Sequence, residues 1–268
     1  IESTGTEFRN ENFYNITLGT DYHINDNNVI TLSGNFALEL EQQPSNTIFE
    51  SYDSNRTLAS QWERSETTSA INPKYQFDLQ YEKQFDSHKD HRLQFSSLGS
   101  FFGKEQESEF DIIPLLGTEI DANQQIRTEF YQRDFTFKLD YTNPITEQIT
   151  IEAGSQIDFN DVGNDYEVNN MINGDWVVDS NLTNDFLYDQ KVYGIYGTAA
   201  YEGARWGIKL GSRVEHTNLT TLLANTNEKN TQVYTNFFPS AHASFKASPT
   251  VSFQAGYSRR IFRPRLWD

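Results

Sequence analysis

Apolar and polar residues alternate along this chain in a series of short runs. The clearest is VYGIYGTAAYEGARWGIKLGSRVEH, residues 192–216. Tyr193, Ile195, Gly197, Ala199 and Tyr201 share one phase, Glu202 to Arg205 interrupt it, and Trp206, Ile208, Leu210, Ser212 and Val214 resume it. A period of two on both sides of a short glycine-containing break predicts a β-hairpin, because successive strand side chains point to opposite faces. Four further hairpins follow the same rule, with turns at Asn25 to Asn28, Asp86 to Asp90, Thr142 to Gln148 and around Pro249. The last residue of the apolar phase before each turn is aromatic: Tyr22, Tyr81, Tyr141, Tyr201 and Phe245. Just past three of the turns an apolar residue is followed five positions on by glycine, as in Ile149 to Gly154, Trp206 to Gly211 and Val251 to Gly256.

Between the hairpins lie polar segments, Glu41 to Ala70, Gly103 to Gln125, Asn160 to Asn184 and Thr217 to Val233, which read as long loops. Short and long connections therefore alternate. The expected fold is all-β: an antiparallel up-and-down meander of about ten strands in five hairpins, forming a single domain over residues 1–268. With strands of about 9 to 11 residues, a repeated aromatic rim and short turns opposite long loops, the meander is expected to be part of a transmembrane β-barrel. In that setting the apolar phase meets lipid. A soluble ten-stranded binding module, with the same phase turned inward, is the competing arrangement.

Composition sharpens this picture. Mean hydropathy is −0.68, yet 14% of residues are aromatic, with 20 Phe and 14 Tyr against one Met. That balance favours half-buried strands over packed helices. No apolar run approaches the length of a transmembrane helix, which leaves barrel strands untouched because they alternate and average to polar. A net charge of −17 excludes nucleic acid as a partner. Much of that charge belongs to the presumed loops: Lys104 stands alone among Glu105, Glu107, Glu109, Asp111, Glu119 and Asp121. With no cysteine in the chain, thiol catalysis and cysteine-ligated zinc are ruled out.

Given a lipid-facing apolar phase, the opposite phase lines a lumen. Its wall is expected to include Lys138, Glu152, Lys209, Arg213 and Glu215, with Lys138 and Glu152 pairing within one hairpin, while Tyr22, Tyr81, Tyr141, Tyr201 and Phe245 form an aromatic girdle. Asp161, Asp165 and Glu167 cluster oxygen ligands in one acidic segment and are the candidate metal group, with Ca²⁺ the fitting ion, although the spacing departs from the EF-hand loop. Tyr166 and Trp176 in the same segment, together with Arg260, are the candidate ligand contacts. His88 and His91 share a short turn without a third ordered ligand. His23, His216 and His242 are scattered and make no catalytic triad, so no enzymatic activity is expected. Arg259, Arg260, Arg263 and Arg265 form the single basic cluster, expected near the long-loop rim and turned inward, because an arginine facing lipid is costly.

Three stretches also carry a resemblance. WGIKLGSRVEHT (206–217), TNFFPSAHAS (235–244) and AGYSRRIFRPRLWD (255–268) resemble, in that order and spacing, the barrel of TonB-dependent outer-membrane receptors, especially the outer-membrane β-barrel group common in Bacteroidetes. The resemblance implies a cell outer-membrane location in a Gram-negative envelope and a plugged barrel of about 22 strands. It further implies energy-coupled transport of a ligand of siderophore, glycan or peptide class. The implied partners are outer-membrane lipid, the small-molecule or oligomeric ligand, and the TonB complex acting through a plug region. No plug or TonB-contacting box is seen in these residues, so the chain reads as an internal part of such a barrel. A non-coupled porin-like or adhesin barrel is the alternative function.

Overall fold

The computed structural model describes residues 1–117 and 123–261. They form twelve strands and no helix: β1 (Glu2–Glu7), β2 (Asn10–Asn25), β3 (Asn28–Tyr52), β4 (Leu58–Gln84), β5 (Arg92–Leu116), β6 (Gln124–Pro144), β7 (Ile149–Ile172), β8 (Asp175–Val178), β9 (Asn184–Glu202), β10 (Trp206–Leu223), β11 (Glu228–Ser248) and β12 (Val251–Ser258). All belong to one antiparallel sheet, which is not closed within this chain. β3 to β7 and β9 to β12 follow in chain order, β1 and β2 share the free edge of β3, and β8 pairs with the far end of β7.

The five short turns fall where the alternation places them. The strands, by contrast, are far longer than a membrane crossing needs: β4 has 27 residues and β7 has 24. The four presumed loops are in large part strand. Residues 41–52 extend β3, 103–116 extend β5, 160–172 extend β7 and 217–223 extend β10, paired along most of their length with their neighbours. Two strands are additional to the expected ten. One is β1. The other is β8, folded back on β7 through Asn173 and Gly174, whose φ values of 53° and 88° are those of a tight hairpin turn.

The apolar phase of the hairpins is the outward one. On β10, Trp206, Ile208 and Leu210 are 54%, 44% and 57% exposed, whereas Glu215 and Thr217 of the opposite phase are 7% and 0% exposed. A soluble sheet buries its apolar phase; here the polar phase lies on the more buried face and the apolar phase on the exposed one, which rules out the soluble arrangement. None of the described helices could cross a membrane, since there are none.

Higher on the strands the polarity inverts while the register continues unbroken. On β7, outward Ile149, Ile151, Ile157 and Phe159 give way to outward Asp161, Asp165 and Glu167, while inward Val162 and Val168 are only 2% and 1% exposed. On β5, outward Phe95 and Phe101 are followed by outward Glu105, Glu107, Glu109 and Asp111, with inward Phe110 at 7%. Among the described residues, all seven buried apolar ones, Ala37, Ala70, Phe110, Phe130, Val162, Val168 and Val192, belong to the inward phase. β5 and β7 thus each have two parts. One, nearest the short turns, faces apolar surroundings on its outer side; the other carries carboxylates there.

Candidate functional site: the inner wall

The inward phase across β6, β7, β9 and β10 forms a connected polar wall. Asp140, Gly154 and Tyr196 lie in register on three neighbouring strands. Because Gly154 has no side chain, the Tyr196 ring lies across it, 2.5 Å from where a Cβ would stand, and the Tyr196 hydroxyl donates to Asp140 Oδ1 at 2.5 Å. Lys138 Nζ pairs with the same carboxylate, at Oδ2, at 2.7 Å. Gly194 plays the equivalent part for Arg213, whose Nη2 lies 2.6 Å from its would-be Cβ. The Arg213 guanidinium donates from Nε to Glu215 Oε1 at 2.5 Å, reaches Gln156 at 3.4 Å and sits 5.2 Å from the Tyr196 ring centre. A third unit joins Lys209 Nζ and Thr198 Oγ1 to Glu152 Oε2, each at 2.7 Å.

Lys138, Glu152, Lys209, Arg213 and Glu215 all lie on this inward face. The expected Lys138–Glu152 pair is not formed. The turn over residues 145–148 sets Thr142 opposite Glu152 and Gln156 opposite Lys138, so the two charges are separated along the hairpin. Glu152 turns instead to Lys209, across β9.

At the short-turn end of the outer face stand Tyr22, Tyr81, Tyr141, Tyr201 and Phe245. Tyr81 donates its hydroxyl to Asn28 Oδ1 of a neighbouring turn at 2.7 Å, and the Tyr141 hydroxyl meets His91 Nε2 at 2.9 Å. His91 is further engaged by Ser87 Oγ at 2.5 Å and stacks 4.2 Å from Phe85, so it belongs to a packed turn. A second set of outward aromatics marks the upper end of the apolar part. Phe36, Tyr75 and Phe101 sit side by side at 5.2 and 5.7 Å, and Phe159 meets Tyr193 at 6.5 Å. Phe36, Tyr75, Phe101, Phe159 and Tyr193 each share the outward phase with the girdle residue of their hairpin, and that shared phase is the signal by which the sequence marks them.

The candidate metal group and ligand contacts are arranged differently from expectation. Asp161, Asp165 and Glu167 lie on the outer face of β7 rather than in a loop, and Asp161 pairs with Arg133 at 3.5 Å. Extended backbone spreads them along the strand instead of wrapping them about one point. Among the described residues, the one group of three carboxylates drawn within 4.8 Å is Glu11, Glu39 and Glu41, on the inner face of β2 and β3. Tyr166 faces inward on β7, whereas Trp176 on β8 pairs with outward Met171. The two are therefore on opposite faces of the sheet. Arg260 follows β12, strands away from both, so the three contacts do not converge.

β12 ends at Ser258, and the backbone N–H of Arg259 donates to Pro239 at 3.2 Å. Arg259 and Arg260 border a recess of about 440 Å³ with the inward residues Glu215, Ser240 and His242. They lie beside the upper part of the apolar band, well short of the far ends of the strands at Leu223 and Glu228, which corrects the expected rim position. Arg263 and Arg265 lie outside the described residues.

The comparisons agree with this geometry. No curated protein sequence matches the chain. The fold is similar to that of the ferric citrate transporter FecA in its unliganded form, with a TM-score of 0.51 at 12% identity over 95% of this chain and 43% of that one. A further match is to FpvA of P. aeruginosa bound to heterologous pyoverdines, with a TM-score of 0.47, 12% identity, and coverage of 93% of this chain and 41% of that one. The chain thus spans less than half the length of these receptors. The model of the outer membrane protein beta-barrel family matches residues 83–268. With more than half of the chain so matched, and an apolar face turned outward, the chain belongs to the outer membrane protein beta-barrel family and resides in the outer membrane.

Proposed function

We propose that this chain forms part of the wall of a TonB-dependent importer, through whose lumen a siderophore, glycan or peptide ligand enters the periplasm. The observation that carries the reading is the polar, cross-linked inner wall set inside an apolar outer face, in a sheet that has the fold of an importer barrel. The hydroxyls of this wall, those of Thr136, Thr198 and Tyr196, each donate to a carboxylate that also fixes the strand-to-strand network, an arrangement that suits a rigid conduit wall. Outer-membrane lipid is the partner of the apolar face. Energy coupling would act through a plug held in the lumen.

A passive porin-like pore or an adhesin would use the same wall without energy. Uptake measurements separate the readings. In cells carrying the intact gene, ligand-dependent growth or radiolabel uptake should collapse on deletion of the gene and equally on dissipation of the inner-membrane proton gradient. Uptake that needs the gene but persists without the gradient establishes the passive pore, and loss of surface adhesion with unchanged uptake establishes the adhesin.

A further inference from the structure

Asn173 and Gly174 form the tip of the β7–β8 hairpin, and theirs is the one Asn-Gly pair in the chain. Asn173 is exposed, and Gly174 has nothing within 4 Å of where a Cβ would stand. The Ile172–Asp175 pair closes the turn, so the Gly174 N–H lies outside the ladder, and it makes no turn hydrogen bond among the described residues. The Asn173 carboxamide has no hydrogen-bond partner among them either. Its neighbours in sequence are held: Asn169 Nδ2 donates to Glu167 at 2.8 Å and Asn170 Nδ2 to Asp179 at 3.0 Å.

A backbone nitrogen attacks the side chain before it when three conditions meet. The attacking residue must lack a side chain, as Gly174 does. Carboxamide and amide must both be open to water, as they are here. The backbone must also leave its tight turn, and β8 makes that cheap: its four residues are all exposed, and among the described residues it pairs with β7 along one edge and with nothing along the other. Beyond β8 the chain is anchored at Asp179, whose N–H donates to Val168 and whose C=O accepts from Thr183, each at 2.8 Å. Residues 173–178 can therefore open as a flap between fixed ends while the β7–β9 ladder stays whole. Asn227 is the internal comparison. It shares the positive φ, 54° against 53°, but Glu228 follows it, with a side chain and a place in β11.

We infer that Asn173 is a modification site at which the chain deamidates itself and releases β8. The Gly174 nitrogen gives up its proton and bonds to Asn173 Cγ; the Cγ–Nδ2 bond breaks and ammonia leaves with that proton, closing a succinimide ring. Water then adds to one of the two ring carbonyls. Cleavage of the Cγ–N bond gives aspartate, and cleavage of the bond from the Asn173 main-chain carbonyl gives isoaspartate. Isoaspartate routes the main chain through Cγ, lengthens the two-residue turn by one atom and sets a new carboxylate beside Asp175, so the tight turn no longer fits. The flap from 173 to 178 then detaches from β7, taking Trp176 away from Met171.

Ageing the intact protein, purified from outer membranes in detergent, in mildly alkaline and in mildly acidic buffer tests this. Peptide mass spectrometry with electron-driven fragmentation reads each asparagine and separates aspartate from isoaspartate. The peptide holding Asn173 should gain one dalton, mainly as isoaspartate and severalfold faster in alkali, while Asn169, Asn170 and Asn227 stay unchanged. Limited proteolysis should then cut within 173–178 in the aged protein and not in the fresh one. Asn173→Gln, whose longer side chain closes its ring far more slowly, should remain uncut after the same ageing. Heat-modified mobility on gels reports that each sample is folded. An unaltered Asn173 in folded protein over a period in which the urea-unfolded chain converts, conversion of Asn227 at an equal rate, or a converted hairpin as resistant to protease as the fresh one would overturn the inference.

Discussion

Single glycines set the inner wall. Gly154 is the residue that lets Tyr196 cross β7 to reach Asp140, and Gly194 does the same for Arg213. The first of these belongs to the pattern visible in sequence, an apolar residue at Ile149 with glycine five positions later. The glycine itself was legible; the cross-strand ring above it was not, because Asp140 and Tyr196 are 56 residues apart and only strand order joins them. Gly154→Val must push the Tyr196 ring off its seat and break the bond to Asp140. We expect a loss of about 1–3 kcal/mol in stability, as for other overpacked sites, measured by urea unfolding in lipid vesicles. Pairing Gly154→Val with Tyr196→Ala should recover most of that loss, since the smaller side chain no longer needs the gap. The Lys138–Asp140 and Lys209–Glu152 pairs nearby are partly exposed, and each is worth at most about 1 kcal/mol.

At the scale of elements, the alternation marked every short turn and the half of each strand beside it. It lost the other half because the rule that makes a strand visible, apolar residues on one face, reverses partway up. Outward Phe159 on β7 is followed by outward Asp161, and inward Asp158 by inward Val162. An apolar phase that slips by one residue in mid-strand looks like a loop. β8 had its own signal, the Asn173-Gly174 pair that favours a tight hairpin turn, inside a segment whose acidity drew attention to metal binding instead. Extended backbone then separated Asp161, Asp165 and Glu167, while the compact carboxylate group arose from Glu11, Glu39 and Glu41, which only the β2–β3 register brings together. The two halves of β9 should respond unequally to an introduced arginine. Ile195→Arg, outward and 66% exposed in the apolar part, should cost about 2–4 kcal/mol in a bilayer. Asp185→Arg, outward on the acidic extension, should shift stability by no more than about 0.5 kcal/mol.

The whole molecule is a wall with two environments on its outer side and one on its inner side. Near the short turns, lipid covers the outer face and the inner face is largely polar; further up β5 and β7, water covers a carboxylate-rich outer face and the inner face holds buried apolar side chains such as Phe110, Val162 and Val168. The hairpin at residues 192–216 made the β class readable, and its repetition with an aromatic residue before every short turn made the membrane setting readable. Strand length and inversion height required the register. The absence of any native cysteine makes the inversion directly measurable. Single cysteines at outward positions of β7, Ile151→Cys, Ser155→Cys, Phe159→Cys, Asp165→Cys and Glu167→Cys, would be treated with a membrane-impermeant maleimide on intact cells. Protection at 151, 155 and 159 with full labelling at 165 and 167 is the predicted result. Uniform labelling at all five positions, or protection that continues through 167, would contradict it.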